Sequence, residues 1–181
     1  RTFCARPTCR NVHAFTAGVK FSGEHIHTLK ETGMPELPRT LQALLSWTWP
    51  EIEPFYSELA TREVSEQTVA QWLSDWTLIS KHVSELGQRL YVATTVNTKD
   101  KQAEARFNAF LDNIQPNAEA AEQKLKEKLL ASGVQPKGFA VPLRNMRTEA
   151  AIFSEANLPL LTEEAKLCNE YDKIAGAQTV Q

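Results

Sequence analysis

The chain has 181 residues, 42% hydrophobic and 23% charged, with a formal net charge of -2. That is enough chain for one packed domain, and the charge balance argues against nucleic acid as a partner. No run of 18 apolar residues is present, so the sequence excludes a membrane-spanning helix and predicts no membrane partner.

Charge and composition divide the chain near Pro35–Pro38. Residues 1–35 carry Arg1, Arg6, Arg10, Lys20 and Lys30 against Glu24 and Glu31, and they hold Cys4, Cys9, His13, His25 and His27. They show no sustained hydrophobic period, which predicts a disordered tail, or one not native to the fold, with one short strand possible at Val19–Phe21. The first residue is Arg1, so a fragment, a processed product or a read beginning inside a longer frame is expected. The first 23 residues contain arginine and no acid, which also fits part of an organelle transit peptide. Three cysteines make no disulfide framework; a reducing and hence cytoplasmic location is expected.

From Pro38 the periodicity is helical. Thr48 and Glu51 form a capping box, and Pro50 and Pro54 are assigned to the first turn of a helix ending near Arg62. Its face is Ile52, Phe55, Tyr56 and Leu59. Ser65 is expected to cap a long second helix. There Val69, Trp72, Leu73, Trp76, Ile79, Val83, Leu86 and Leu90 recur at steps of three and four. Gly87, inside it, marks a bend or a close crossing. A third helix begins at Thr98 or Asp100, with Ala103, Phe107, Phe110, Leu111 and Ile114 inward, and Pro116 should kink or split it. The pattern resumes through Ala121, Leu125 and Leu129 to a C-terminal cap at Gly133, with Glu122 and Lys126 read as an exposed ion pair. Two long helices joined by a short polar turn predict an antiparallel hairpin.

After a loop over 134–141, a fourth helix is expected from Pro142 to Asn157, with Met146, Ile152 and Phe153 as contacts and Pro159 as its stop. Thr162 should cap a fifth, with Glu163 and Glu164 in its first turn. Leu167, Cys168, Tyr171 and Ile174 are its expected buried face, Gly176 its cap, and Gln178–Val180 a possible short strand. The fold class read from this pattern is all-α.

No catalytic, metal-ligating or cofactor-binding residue can be assigned. The zinc-peptidase motif H-E-x-x-H, two histidines one turn apart with a Glu that activates water, is absent from the sequence. His25 and His27 could share a metal on a strand, with Cys4 and Cys9 as further ligands, but C-x4-C is unusual spacing and a tail is the simpler reading. Trp72 and Trp76, with Trp47 and Trp49, could line a peptide groove; aromatics at helical spacing are more often core. Glu163 and Glu164 fit a helix start, Glu119–Lys128 a solvated face, and Cys168 a small buried apolar position.

The run Asn157-Leu158-Pro159-Leu160-Leu161-Thr162-Glu163-Glu164 and the segment Glu170-Tyr171-Asp172-Lys173-Ile174-Ala175-Gly176-Ala177-Gln178-Thr179-Val180 resemble the junction segment of the oligoendopeptidase F family, relatives of thimet oligopeptidase. In that family N-x-P-L-x-T-E-E is followed by E-Y-x-K-I-x-G-A-x-T-V; Gln178 stands where Met is expected. Glu51–Leu59 resembles the family's first helix, and Arg89–Thr95 and Lys128–Ser132 the next two. The resemblance covers about 36–181 and implies the N-terminal helical lobe of a zinc-dependent oligoendopeptidase, walling a channel for short peptides. It also implies that zinc and the catalytic Glu belong to a C-terminal catalytic half missing here, so that this chain alone is inactive. A stand-alone helical interaction module is the alternative.

Overall fold

At two helix starts, those after Thr40 and Asp100, a short polar side chain satisfies otherwise orphaned backbone donors. In the computed structural model, which describes residues 36–178, Thr40 accepts from Ala43 N–H at 3.2 Å and opens α1 (Leu41–Leu45). The Thr48 N–H and hydroxyl both donate to Glu51 Oε2, at 2.8 and 2.7 Å, and open α2 (Trp49–Thr61). Those bonds hold the Glu51 carboxyl below its ordinary pKa. Pro50 lies in the first turn as expected. Pro54 does not: it sits inside the helix, where the amide it lacks would have bonded the Pro50 carbonyl.

The long helix is α3 (Val69–Val96), and its cap differs from the expected one. Ser65 opens a turn in which its own N–H donates to Thr68 Oγ1 at 3.0 Å, and Thr68 is the residue before the helix. All eight predicted apolar positions of α3 are buried, Trp72 completely. The Trp72 indole N–H donates to Leu59 O at 2.9 Å, closing one of the open carbonyls at the end of α2. Lys128 Nζ reaches the next, Ala60 O, at 2.5 Å. Arg62, just past that helix end, bonds Glu58 at 2.7 Å and Asp75 at 2.5 Å, so the carboxylate that α3 buries has its cation.

Asp100 accepts from Gln102 N–H and Ala103 N–H and starts α4 (Lys101–Asn113). Of the kink or split expected at Pro116, the split occurs: Ile114 ends α4, and Pro116 falls in the opening turn of α5 (Gln115–Ala131). Gly133 follows at φ 71°, the left-handed conformation expected of a residue past a helix end. Helix α3 and the α4–α5 pair form the predicted antiparallel hairpin. Tyr91 packs on Phe107 with ring centroids 5.7 Å apart, Gly87 meets Phe110, and Ser80 bonds Glu122, so partner numbers fall as numbers on α3 rise. Gly87 marks a close crossing: a Cβ there would lie 2.7 Å from the Phe110 ring.

The last third departs from the sequence reading. The fourth predicted helix ends early, as α6 (Ala140–Ile152), and Phe153 is extended. A single 3-10 turn at Glu155–Asn157 leads into α7 (Leu158–Gly176). Pro159 therefore starts a helix and stops none, because the first turn needs no amide from it. Thr162, Glu163 and Glu164 lie beyond the first turn. The Thr162 hydroxyl donates across to Leu111 O at 3.4 Å, and Glu163 pairs with Lys166. The expected buried face of α7 is reversed. Leu167, Tyr171 and Ile174 are 64–70% exposed, whereas Leu158, Ala165 and Asn169 are buried and Cys168 is half-buried. Gly176 is the last helical residue and Ala177 follows in a right-handed conformation.

Among the described residues there is no strand, and the fold is all-α. The possible strands at Val19–Phe21 and Gln178–Val180 and the tail over 1–35 fall wholly or largely outside the described residues. No described helix is long and apolar enough to cross a membrane.

Candidate functional site

The hairpin does not close completely on α6. A cleft of roughly 300 Å³ remains between α3, α4–α5 and α6 with the turn that follows it. Its apolar walls come from Trp76 and Tyr91 on α3, Phe107 and Phe110 on α4, Met146 on α6, and Phe153. Polar groups come from α3, α5 and α6, and α5 presents Gln115, Glu119 and Glu122 at spacings of four and three, one face of one helix.

Glu122 is the centre of that face. Its Oε1 accepts from Ser80 Oγ at 2.6 Å and from Tyr56 Oη at 3.1 Å, joining α3, α2 and α5. Burial pushes its carboxyl pKa up, while the two hydroxyls and the nearby Lys126 charge pull against that. Tyr56 is pushed well above its ordinary value by burial and by the adjacent carboxylate. Glu119 accepts from Gln115 Nε2 at 3.0 Å and is also raised, first by burial and then by the charge of Glu122. The Gln115 Oε1 atom is buried with no hydrogen-bond partner. Lys126 is committed elsewhere, to Glu149 on α6 at 2.8 Å.

This corrects the reading of Glu119–Lys128 as a solvated face with an exposed Glu122–Lys126 pair. Glu122 turns inward, Gln123 is buried, and Lys126 bridges to α6. The signal was present: Ala118, Leu125 and Leu129 are buried, and Glu122 falls in the same stripe, four residues after the first and three before the second. The tryptophans behave as core. Trp72 and Trp76 are buried with centroids 5.3 Å apart, and Trp47 packs edge-on against Phe55 at 5.7 Å. Trp76 alone of the four also forms a wall of the cleft. Glu163 and Glu164 lie away from it, on α7.

Zinc does not fit the described residues. No three His, Cys, Asp or Glu side chains come together there in an arrangement able to hold a metal ion. His82, the one described histidine, sets its Nδ1 2.8 Å from Leu78 O and its ring 6.1 Å from that of Trp47. Cys4, Cys9, His13, His25 and His27 lie outside the described residues.

Fold and site together define an all-α lobe with a cleft that has apolar walls and a carboxylate-bearing side. The chain belongs to the Peptidase M3 N-terminal domain family, whose sequence profile matches residues 46–137. The matched span runs from the turn before α2 through α5 and so contains the hairpin, Tyr56, Ser80, Glu119 and Glu122. Comparisons with curated proteins and with solved structures gave no match.

Proposed function

We propose that residues 36–181 are the N-terminal helical lobe of a zinc-dependent oligoendopeptidase of the oligoendopeptidase F type, which confines short peptides while a downstream catalytic half hydrolyses them. Membership of the Peptidase M3 N-terminal domain family carries this reading. The oligoendopeptidase F assignment and the extension to 36–181 are supported by the junction segment around Asn157–Val180, which lies beyond the family match. The cleft between α3 and α6 supports a role in holding substrate, because convergent polar groups in an apolar recess are what orient a ligand.

In this reading the chain supplies no catalytic or metal-ligating residue. Its own side chains would hold the peptide and exclude water; zinc, held by residues of the other half, would supply polarisation of the scissile carbonyl. The outward stripe of α7, Leu160, Leu167, Tyr171 and Ile174, is the surface that half would cover. Residues 1–35 lie outside the lobe. The parent enzyme would be cytoplasmic and act on neither nucleic acid nor membrane. The same exposed stripe is also what a stand-alone interaction module would offer a partner. The two readings separate in a chain that continues into its downstream sequence. Stoichiometric zinc by calorimetry together with cleavage of a quenched fluorescent peptide is the expected result. A continuation that neither binds zinc nor cleaves would transfer the case to the interaction module.

A further inference from the structure

We propose that the cleft beside α5 is a binding site for an organic cation, an ammonium group carried on an apolar body. The polar side of the cleft carries carboxylates without paired cations. Glu119, Glu122 and Glu149 line the cleft with Lys81 and Lys126. Lys126 is held by Glu149, and Lys81 is exposed at the edge. Among the described residues no cation makes an ion pair with Glu119 or Glu122, the two carboxylates that burial raises.

Donors are missing as well as charge. Both hydroxyls that reach Glu122 go to Oε1, which leaves Oε2 for a ligand. Glu119 receives only the Gln115 amide, and that leaves the Gln115 Oε1 buried and unpartnered. A buried acceptor without a donor is costly, and a recess that sets one such acceptor beside two carboxylates with no paired cation, on one helix face, is complementary to a donor-only group. An ammonium has three donors and no acceptor. Glu119 and Glu122 are one turn apart, within reach of a single cation between them. The opposite walls, Trp76, Tyr91, Phe107, Phe110 and Met146, suit an apolar and preferably aromatic body next to the charge.

The inference does not rest on the peptidase reading, and its test needs no catalytic half. Phenethylamine, 2-phenylethanol and 3-phenylpropionate share a similar body and differ in charge. Titrated calorimetrically into the 181-residue chain at pH 7.5, the amine should bind one-to-one and about tenfold more tightly than the alcohol, with the anion weakest. The double substitution Glu119→Gln, Glu122→Gln should remove the preference for the amine, with circular dichroism checking that the variant folds. Amide shift mapping on the unaltered chain is independent of any variant and should centre on 115–122. An alcohol that binds as well as the amine, no binding at all, or shifts centred elsewhere would overturn the proposal. A free amine and a peptide N-terminus share this chemistry. Phe-Gly-Gly measured beside phenethylamine separates them, and the tighter ligand identifies the source.

Discussion

Helices α2–α5 and helix α7 are built on different principles. In the first group the inward stripes are large and apolar: Ile52, Phe55, Leu59, Trp72, Ile79, Leu86, Leu111, Leu125 and Leu129 are all essentially inaccessible. Helix α7 instead turns its small and polar side inward. Asn169 Oδ1 accepts from the Thr94 hydroxyl at 3.0 Å, Asp172 from the Tyr91 hydroxyl at 2.8 Å, and Lys173 reaches Glu104 at 2.7 Å. Beyond Leu158 at its start, its larger apolar residues Leu160, Leu167, Tyr171 and Ile174 point outward. A helix held by its apolar stripe takes its energy from area removed from water, whereas α7 is held by directional bonds and keeps its apolar stripe for another surface.

The sharpest way to break the contrast is to remove a central side chain from the first group. Trp72→Ala should cost about 4 kcal/mol, since it removes a wholly buried ring and leaves Leu59 O without its indole donor. Urea unfolding measures it; a loss under about 1 kcal/mol would mean the core is not centred there. A paired test on α7 comes next. Asn169→Ala should cost about 1 kcal/mol by removing the buried amide that shares the Thr94 hydroxyl, which keeps Tyr91 O at 2.7 Å. Leu167→Ala, apolar but 70% exposed, should change stability by no more than about 0.5 kcal/mol. The reverse order would show that α7 packs through its outward stripe.

The smallest expected effect is in pH. Glu119 and Glu122 have pKa values raised above 4.5 in the folded chain, so the fold holds more protons than the unfolded chain between 4.5 and the raised values. Their contribution to stability is fully present below 4.5 and is lost as pH rises through the folded-state values. Glu104 acts in the other direction. The Lys173 and Lys101 ammoniums hold it at about 2, and its contribution is lost as pH falls from 4.5 toward that value. Subtracting the melting temperatures of the Glu119→Gln, Glu122→Gln variant from those of the unaltered chain cancels Glu104. The difference should fall as pH rises above 4.5. A flat difference would place both carboxylates in water.

The same contrast explains what could be read in advance. Where apolar spacing and burial coincide, the sequence specified the structure closely: the faces of α2, α3 and α4, the Asp100 cap, the split at Pro116 and the left-handed Gly133 all follow from local chemistry. Periodicity identifies an apolar face but not which way it points, so the pattern of α7 predicts as buried a face that the fold turns outward. Pro159 is compatible with a stop or a first turn, and only the path from Phe153 through the 3-10 turn decides between them. At the cleft, the charge of Glu122 outweighed its position in the buried stripe of α5. The hydroxyls of Tyr56 and Ser80 that receive it come from 66 and 42 residues earlier and could not have been placed by local pattern.

We propose that this chain confines a peptide and that a part of the protein beyond it supplies the reaction. The most direct measurement incubates the purified 181-residue chain with zinc and a quenched fluorescent peptide and follows the release of fluorescence. The account predicts a trace indistinguishable from peptide and zinc alone. Turnover that scales with the amount of chain and stops on adding a chelator would contradict it.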